Sequence, residues 1–175
     1  RLESIEEQYG TIRSMFGQAQ TDQPSGVWLP PITPTPRAAR DAGRPPLGET
    51  APSHWPLAER GFITQELFGG SGDHPGLDIA VASDSYIRAA GGGTVIDVGE
   101  DAVYGRFVVL DHGSGYTTLY GHASTNLVTL GQSVRERQVI ALSGSTGRST
   151  APHLHFEVLL EGEPVDPLTL VEPPG

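Results

Sequence analysis

The stretch Ser149–Leu160, which reads STAPHLHFEVLL, decides the fold of this chain. It places two histidines two residues apart at the start of a predicted strand. In an extended chain, residues i and i+2 point to the same face. The run therefore divides into two faces, with His153, His155 and Glu157 on one and Leu154, Phe156 and Val158 on the other. We expect the apolar face to pack in a core and the histidine face to form a site.

Two upstream motifs supply partners for this histidine face. In GDHPGLDIAV, His74 and Asp78 stand four residues apart, and LDIAV predicts a strand that enters the core. In YTTLYGHAS, alternation places Tyr116, Thr118, Tyr120 and His122 on one side of a second strand. Four of the six histidines of the chain lie in these three motifs, so we expect the motifs to converge.

The donor types point to a catalytic metal. The chain has no cysteine, so a zinc site would be built from imidazole and carboxylate groups. Such sets suit a catalytic zinc, which takes three protein ligands and leaves a position for water. The remaining histidines have structural interpretations: His112 beside Asp111 in LDHGSG predicts a turn residue, and His54 before Trp55 is expected to be structural.

The segments HPGLDIA, YGH and GSTGRSTAPHLHFEV together resemble the lysostaphin-type (LytM-type) zinc metallopeptidases, which cut peptide bonds in peptidoglycan. The similarity runs from about Gly61 to Asp166. It implies a zinc ion (Zn) held by His74, Asp78 and His155, catalytic roles for His122 and His153, a peptidoglycan peptide as substrate, and an exported protein of the periplasm or cell envelope. Spacing alone does not order His153 and His155, and either catalytic histidine could be the general base.

The resemblance also implies an alternative and a departure. Some relatives have lost these five residues and act as regulators, so a catalytically silent groove-binding regulator of other cell-wall hydrolases is the second interpretation. Some relatives use a tyrosine shortly before the first ligand as an oxyanion donor, whereas this chain has Phe68 there. Tyr120, on the same face as His122, is expected at the groove wall. The loops Gly69–Asp73 and Asp101–Arg106 are expected to set groove specificity.

Short predicted strands separated by Gly-rich turns follow Gly61, and no useful helical period is present there. The strands read IRAA, GTVIDVG, RFVVLD, YTTLYGH, QVIALS and HLHFEVLL. This pattern predicts an all-β domain. The resemblance implies antiparallel sheets that form an open groove, of the lysostaphin-like, duplicated hybrid motif type.

The first 60 residues differ in composition. Residues Leu2, Ile5, Tyr9, Ile12 and Phe16 follow a/d spacing, which predicts that 1–17 is the end of a longer helix with a possible coiled-coil partner upstream of Arg1. A short amphipathic helix that lies on the β-domain is the alternative interpretation. Nine of the fifteen prolines lie in 24–56, so 18–60 is predicted to be a Pro-rich linker. We expect Pro24–Pro56 to wrap along the peptidase domain at 61–170, either across the active site or behind the sheet, with 171–175 as a C-terminal tail.

Composition excludes several classes. The formal net charge of −10 argues against nucleic acid as a partner. Segments such as GTVIDVG resemble biotinyl or lipoyl β-folds, but the chain contains no lysine to carry a cofactor. A histidine phosphocarrier would need no metal and no ligand such as Asp78. No signal peptide or transmembrane stretch is visible, so any membrane anchor is expected outside this fragment.

Overall fold

The computed structural model of this chain describes residues 50–69 and 74–175. The predicted helix at 1–17 with its coiled-coil partner, and residues 18–49 of the predicted linker, lie outside the described residues. Ten strands and one short 3-10 helix, Pro167–Thr169, follow in chain order. The strands are β1 (Phe62–Gln65), β2 (Leu77–Ala80), β3 (Tyr86–Arg88), β4 (Gly93–Asp101), β5 (Gly105–Asp111), β6 (Tyr116–Asn126), β7 (Ser133–Val134), β8 (Val139–Ser143), β9 (His153–Leu160) and β10 (Glu163–Val165).

The strands form an antiparallel sheet in the order β1-β2-β9-β6-β5-β4-β7, with β10 paired to β9. Strand β6 extends beyond β9 and also pairs with β8, which in turn pairs with β3. The described residues contain no α-helix. The prediction of an all-β, antiparallel fold is therefore confirmed, and each of the six predicted strand segments overlaps an observed strand.

The register of β9 positions the site, because this strand lies between β2 and β6. His155 is opposite Asp78 on one side and Gly121 on the other, and His153 is opposite Ala80. Three of the sequence motifs are thus brought into adjacent rows of one sheet. Neighbouring strands lie about 4.8 Å apart, so side chains on one face of these rows can contact each other directly.

The core lies on the opposite face of β9, as the alternation predicts. Leu154, Phe156 and Val158 are fully buried. Tyr120 on β6 is also fully buried, with its ring 5.3 Å from that of Phe156 and its hydroxyl accepting from Ala90 N–H at 2.8 Å. The expectation that Tyr120 lies at the groove wall is wrong, because its register partner Phe156 faces the core.

His112 also differs from its prediction as a turn residue. It is 2% exposed and follows directly after β5. Its Nδ1–H donates to the Gly92 carbonyl at 2.9 Å, and its Nε2 lies 2.7 Å from the Thr118 hydroxyl. The Thr118 hydroxyl contacts that of Tyr120 at 3.1 Å. His112 is therefore part of a buried hydrogen-bond network that links the end of β5 to β6 and to the loop before β4.

The described end of the Pro-rich segment packs on the sheet. Trp55 and Leu57 belong to the hydrophobic core, at 8% and 4% exposure. The backbone N–H of Thr50 donates to the Gly92 carbonyl at 3.1 Å, and Leu57 forms a β-bridge with Ile87. Residues 50–57 thus contribute to the folded domain. Within the described part of the chain, no helix combines the length and apolar character needed to cross a membrane.

Candidate active site

Three side chains from two adjacent strands and the loop before them converge at one point. Asp78 on β2 places Oδ1 2.7 Å from Nδ1 of His155 and 3.1 Å from Nε2 of His74. His74 lies in the loop that leads into β2, and its ring is 5.0 Å from that of His155. One donor atom from each residue lies within 4.8 Å of the others. This convergence joins residues 77 positions apart.

The donor set fits zinc. Ligands at 2.0–2.1 Å from a tetrahedral ion are separated by about 3.3 Å, close to the spacing between His74 and Asp78. Nδ1–H of His74 donates to the Glu66 carbonyl at 3.2 Å, which directs the lone pair of Nε2 into the site. That Nε2 is buried and makes no hydrogen bond, because its approach to Asp78 lacks suitable geometry. A buried imidazole nitrogen that makes no hydrogen bond and lies beside a carboxylate is in the environment expected of a metal ligand.

His155 is oriented by a second carboxylate. Its Nε2–H donates to Oε1 of Glu157 at 2.8 Å, so Nδ1 faces Asp78. The Tyr104 hydroxyl donates to the same Oε1 at 2.9 Å. Glu157 is 5% exposed and makes both contacts from the predicted polar face of β9. A carboxylate that holds the distal nitrogen of a histidine is the usual support for a metal-ligating imidazole.

The electrostatics follow from these contacts. Burial alone would lower the pKa of His155, but its hydrogen bonds to Asp78 and Glu157 raise that pKa to about 9. Burial would raise the pKa of Asp78, but His155, His74 and His153 lower it. Burial and Glu157 raise the pKa of Tyr104, so its hydroxyl stays protonated and remains a donor. The two carboxylates therefore supply negative charge that favours a cation at this point.

Two further histidines lie beside these three residues. The rings of His122 and His153 are 4.5 Å apart, and Nε2 of His153 is 3.8 Å from Asp78 Oδ1. Nδ1–H of His122 donates to the Thr146 carbonyl, and that of His153 donates to the Ala151 carbonyl, each at 2.8 Å. Each ring is thereby fixed with its Nε2 free of these bonds. Burial, together with His153 and His155, lowers the pKa of His122, so it is neutral at physiological pH.

His122 reaches the site through a break in strand alternation. Alternation from the buried Tyr120 would direct His122 into the core, but His122 has φ of +60°. The pairing of β5 with β6 shifts at this point, which marks a β-bulge. The left-handed conformation turns the imidazole to the same side as His155, with ring centroids 5.8 Å apart. The structure therefore places His122 beside the other histidines of the site, whereas the predicted shared face with Tyr120 is wrong.

These side chains line an open cleft of about 710 Å³. Its wall includes Tyr104, which sequence reasoning did not select, although it lies in the loop Asp101–Arg106 that was expected to shape the groove. Phe68, at the position where some relatives carry a tyrosine, is 59% exposed. Residues 70–73 of the other groove loop lie outside the described residues. His54 lies away from the cleft and is 3.8 Å from Glu136.

This chain is similar to known proteins in both sequence and fold. The model of peptidase family M23 matches residues 72–167. The peptidoglycan DD-endopeptidase ShyB of Vibrio cholerae is 45% identical over 93 residues, which cover 53% of this chain and 22% of that protein. A crystal structure of a zinc-containing peptidase from Vibrio cholerae gives a TM-score of 0.61 at 37% identity, over 65% of this chain and 38% of that chain.

The structure of lysostaphin from Staphylococcus simulans gives the same TM-score, 0.61, at 26% identity, over 69% of this chain and 53% of that chain. The fold is therefore lysostaphin-like. The chain spans about a fifth of the length of the curated relatives to which it is 40–46% identical.

Proposed function

The chain belongs to peptidase family M23, and from that premise we propose that it is a zinc-dependent endopeptidase that hydrolyses peptide bonds in peptidoglycan. The observation that carries the proposal is the convergence of His74, Asp78 and His155 beside the paired rings of His122 and His153. Because peptidoglycan lies outside the cytoplasm, the proposal also implies an exported protein. All five residues are present, so nothing in the site favours the silent regulator.

In this proposal, His74 Nε2, Asp78 Oδ1 and His155 Nδ1 hold the metal. When bound, zinc supplies Lewis acidity that polarises a peptide carbonyl and lowers the pKa of water. The chain contributes preorganisation of the two ligand imidazoles. The backbone carbonyl of Glu66 holds His74, and the carboxylate of Glu157 holds His155, each in the tautomer that presents a lone pair to the site. The cleft provides an open surface along which an extended peptide can lie.

His122 and His153 are the proposed acid–base pair. Histidine is the side chain whose unperturbed pKa suits proton transfer near neutral pH. Each ring donates its Nδ1 proton to a backbone carbonyl, so the proton accepted from water or given to the leaving amine would move at Nε2. The lowered pKa of His122 keeps this ring unprotonated and able to accept. The two rings lie 4.5 Å apart, so the proposed proton-transfer groups stand next to each other beside the proposed metal ligands.

The function is tested with the full chain, loaded with zinc and incubated with purified peptidoglycan. Mass spectrometry of the released fragments should show new amino termini, which disappear after chelation and return when zinc is restored. The Asp78→Ala variant should lose both zinc and activity. The absence of any new terminus with zinc-loaded protein would contradict the proposal.

The division of roles has its own test. Replacing His122 or His153 with Ala should leave zinc near one equivalent per chain and reduce turnover by about 10²-fold or more, because acid–base assistance is lost. Zinc content is measured by elemental analysis and turnover by release of peptide. Loss of zinc from His153→Ala, with zinc retained by His155→Ala, would show that the two histidines of the pair have the opposite roles.

A further inference from the structure

The side chain of Arg148 stands in the wall of the histidine cleft. Among the described residues that line it, Arg148 is the only arginine or lysine, and Asp78, which faces the histidines, is the only carboxylate. Arg148 is exposed, and no carboxylate among the described residues lies within ion-pairing distance of its guanidinium. By contrast, Arg106 pairs with Glu100 at 3.3 Å. The guanidinium of Arg148 therefore has its donors available at the cleft.

The loop that carries Arg148 is anchored to the catalytic histidines on both sides. Two residues before it, the Thr146 carbonyl accepts from His122 at 2.8 Å. One residue after it, the Ser149 hydroxyl lies 3.2 Å from Nδ1 of His153. The backbone N–H of Arg148 itself donates to the Val103 carbonyl at 2.9 Å. Arg148 thus starts from a backbone position that is fixed relative to the proposed acid–base pair.

Two glycines bring this loop against the turn that carries Tyr104. Gly147 has φ of +68°, and a Cβ there would lie 2.2 Å from the backbone nitrogen of Gly105. Gly105 has φ of +62°, and a Cβ there would lie 2.3 Å from Thr146. The loop and the turn therefore pack backbone to backbone. This packing fixes the backbone from which the Arg148 side chain extends.

The positive charge of Arg148 contrasts with the negative charge of the whole chain. With 11 arginines against 21 acidic residues, the formal net charge is −10, which repels anionic ligands. Arg148 is therefore a local positive charge at the cleft of a strongly acidic chain. Guanidinium binds carboxylates through paired, charge-assisted hydrogen bonds, which gives both affinity and orientation.

We propose that Arg148 binds a free carboxylate of the peptide substrate close to the scissile bond, an inference that rests on the proposed endopeptidase function. The chain then favours peptides that carry a free carboxylate over otherwise identical neutral peptides. The carboxylate contact orients the peptide along the cleft, beside Nε2 of His122 and His153. Arg148 is thus a specificity determinant that does not itself take part in proton transfer.

The experiment compares two synthetic peptides that differ only in a carboxylate or carboxamide on the residue after the scissile bond. The zinc-loaded full chain should cleave the carboxylate peptide about tenfold better, the loss expected from one charge-assisted hydrogen bond. Arg148→Gln should bring that ratio close to one, chiefly through KM, with unchanged zinc content. Arg148→Lys should retain part of the preference. Arg137→Gln, a matched change of an exposed arginine outside this cleft, should behave as the parent.

Three results would overturn the inference while leaving the endopeptidase function intact: equal cleavage of both peptides by the parent chain, an unchanged ratio in Arg148→Gln, or an equal loss on both peptides. Binding provides a readout that does not need turnover. Calorimetric titration of both peptides into zinc-loaded His122→Ala should show the same carboxylate preference, abolished by adding Arg148→Gln. If the peptides bind with this preference but the parent chain cleaves neither of them, the carboxylate contact would be supported and the proposed hydrolysis contradicted.

Discussion

Glu157 offers a sharp test of how the chain holds its metal ligands. Both hydrogen bonds to this side chain, from Nε2 of His155 and the hydroxyl of Tyr104, end on the same atom, Oε1. Glu157→Gln can keep an oxygen at that place, so the substitution removes the charge and leaves both acceptor contacts possible. Glu157→Leu removes the acceptor and leaves two donors without a partner in a buried site.

The expected magnitudes differ accordingly. A charge-assisted hydrogen bond is about twice as strong as a neutral one, so Glu157→Gln should weaken zinc binding by about tenfold, or ~1.4 kcal/mol. Loss of the whole supporting contact should cost closer to 100-fold, the upper end for partners of metal ligands. Tyr104→Phe leaves the carboxylate in contact with His155, so its effect on zinc affinity should be smaller than that of Glu157→Gln.

Zinc affinity is measured by competition with a chromophoric chelator at fixed pH, and the absorption spectrum of the cobalt-loaded protein reports ligand geometry. Glu163→Gln on the exposed face of β10 is the matched control and should bind zinc as the parent does. The reasoning would be refuted by parental zinc affinity in both Glu157→Gln and Glu157→Leu. A cobalt spectrum unchanged in all variants would likewise show that Glu157 does not orient His155.

Four further substitutions test the packing of the domain. Gly147→Ala should lower the free energy of unfolding by more than about 2 kcal/mol, since φ of +68° and the contact with Gly105 both oppose a Cβ. Gly131→Ala is the control, because Gly131 has φ of +76° but no atom would lie within 4 Å of an added Cβ. It should show only the conformational cost of ~1–2 kcal/mol in urea titration. Equal losses of stability in the two variants would be inconsistent with close packing at Gly147. Burial lowers the pKa of His112, so its contribution to stability is present above about pH 6.5 and is lost as the pH falls. The difference in unfolding free energy between the parent and His112→Gln should therefore shrink from pH 7.5 to pH 5, and a constant difference would argue against a buried neutral imidazole. Trp55→Ala should reduce stability by about 3 kcal/mol, whereas an unchanged urea midpoint would show that the segment before β1 does not contribute to the core.

Local sequence was sufficient wherever the chemistry follows strand alternation. The run at β9 fixes which residues face the core and which face the site, and the His155–Glu157 contact and the burial of Leu154 agree with it. Ligand types and the absence of cysteine were enough to predict a zinc site of imidazole and carboxylate groups. These inferences needed only the two-residue period of an extended chain and the preferences of a metal ion.

Tertiary structure decided the features that depend on breaks in that period or on distant contacts. The bulge and left-handed φ at His122 turn this side chain away from the face that Tyr120 occupies. Tyr104 reaches Glu157 across 53 residues, because β5 and β6 bring the turn before β5 over the site. Trp55 joins the core from a segment whose composition is that of a linker. Alternation is a local property of the backbone, whereas these positions are set by contacts between residues far apart in the chain, and only the folded molecule brings them together.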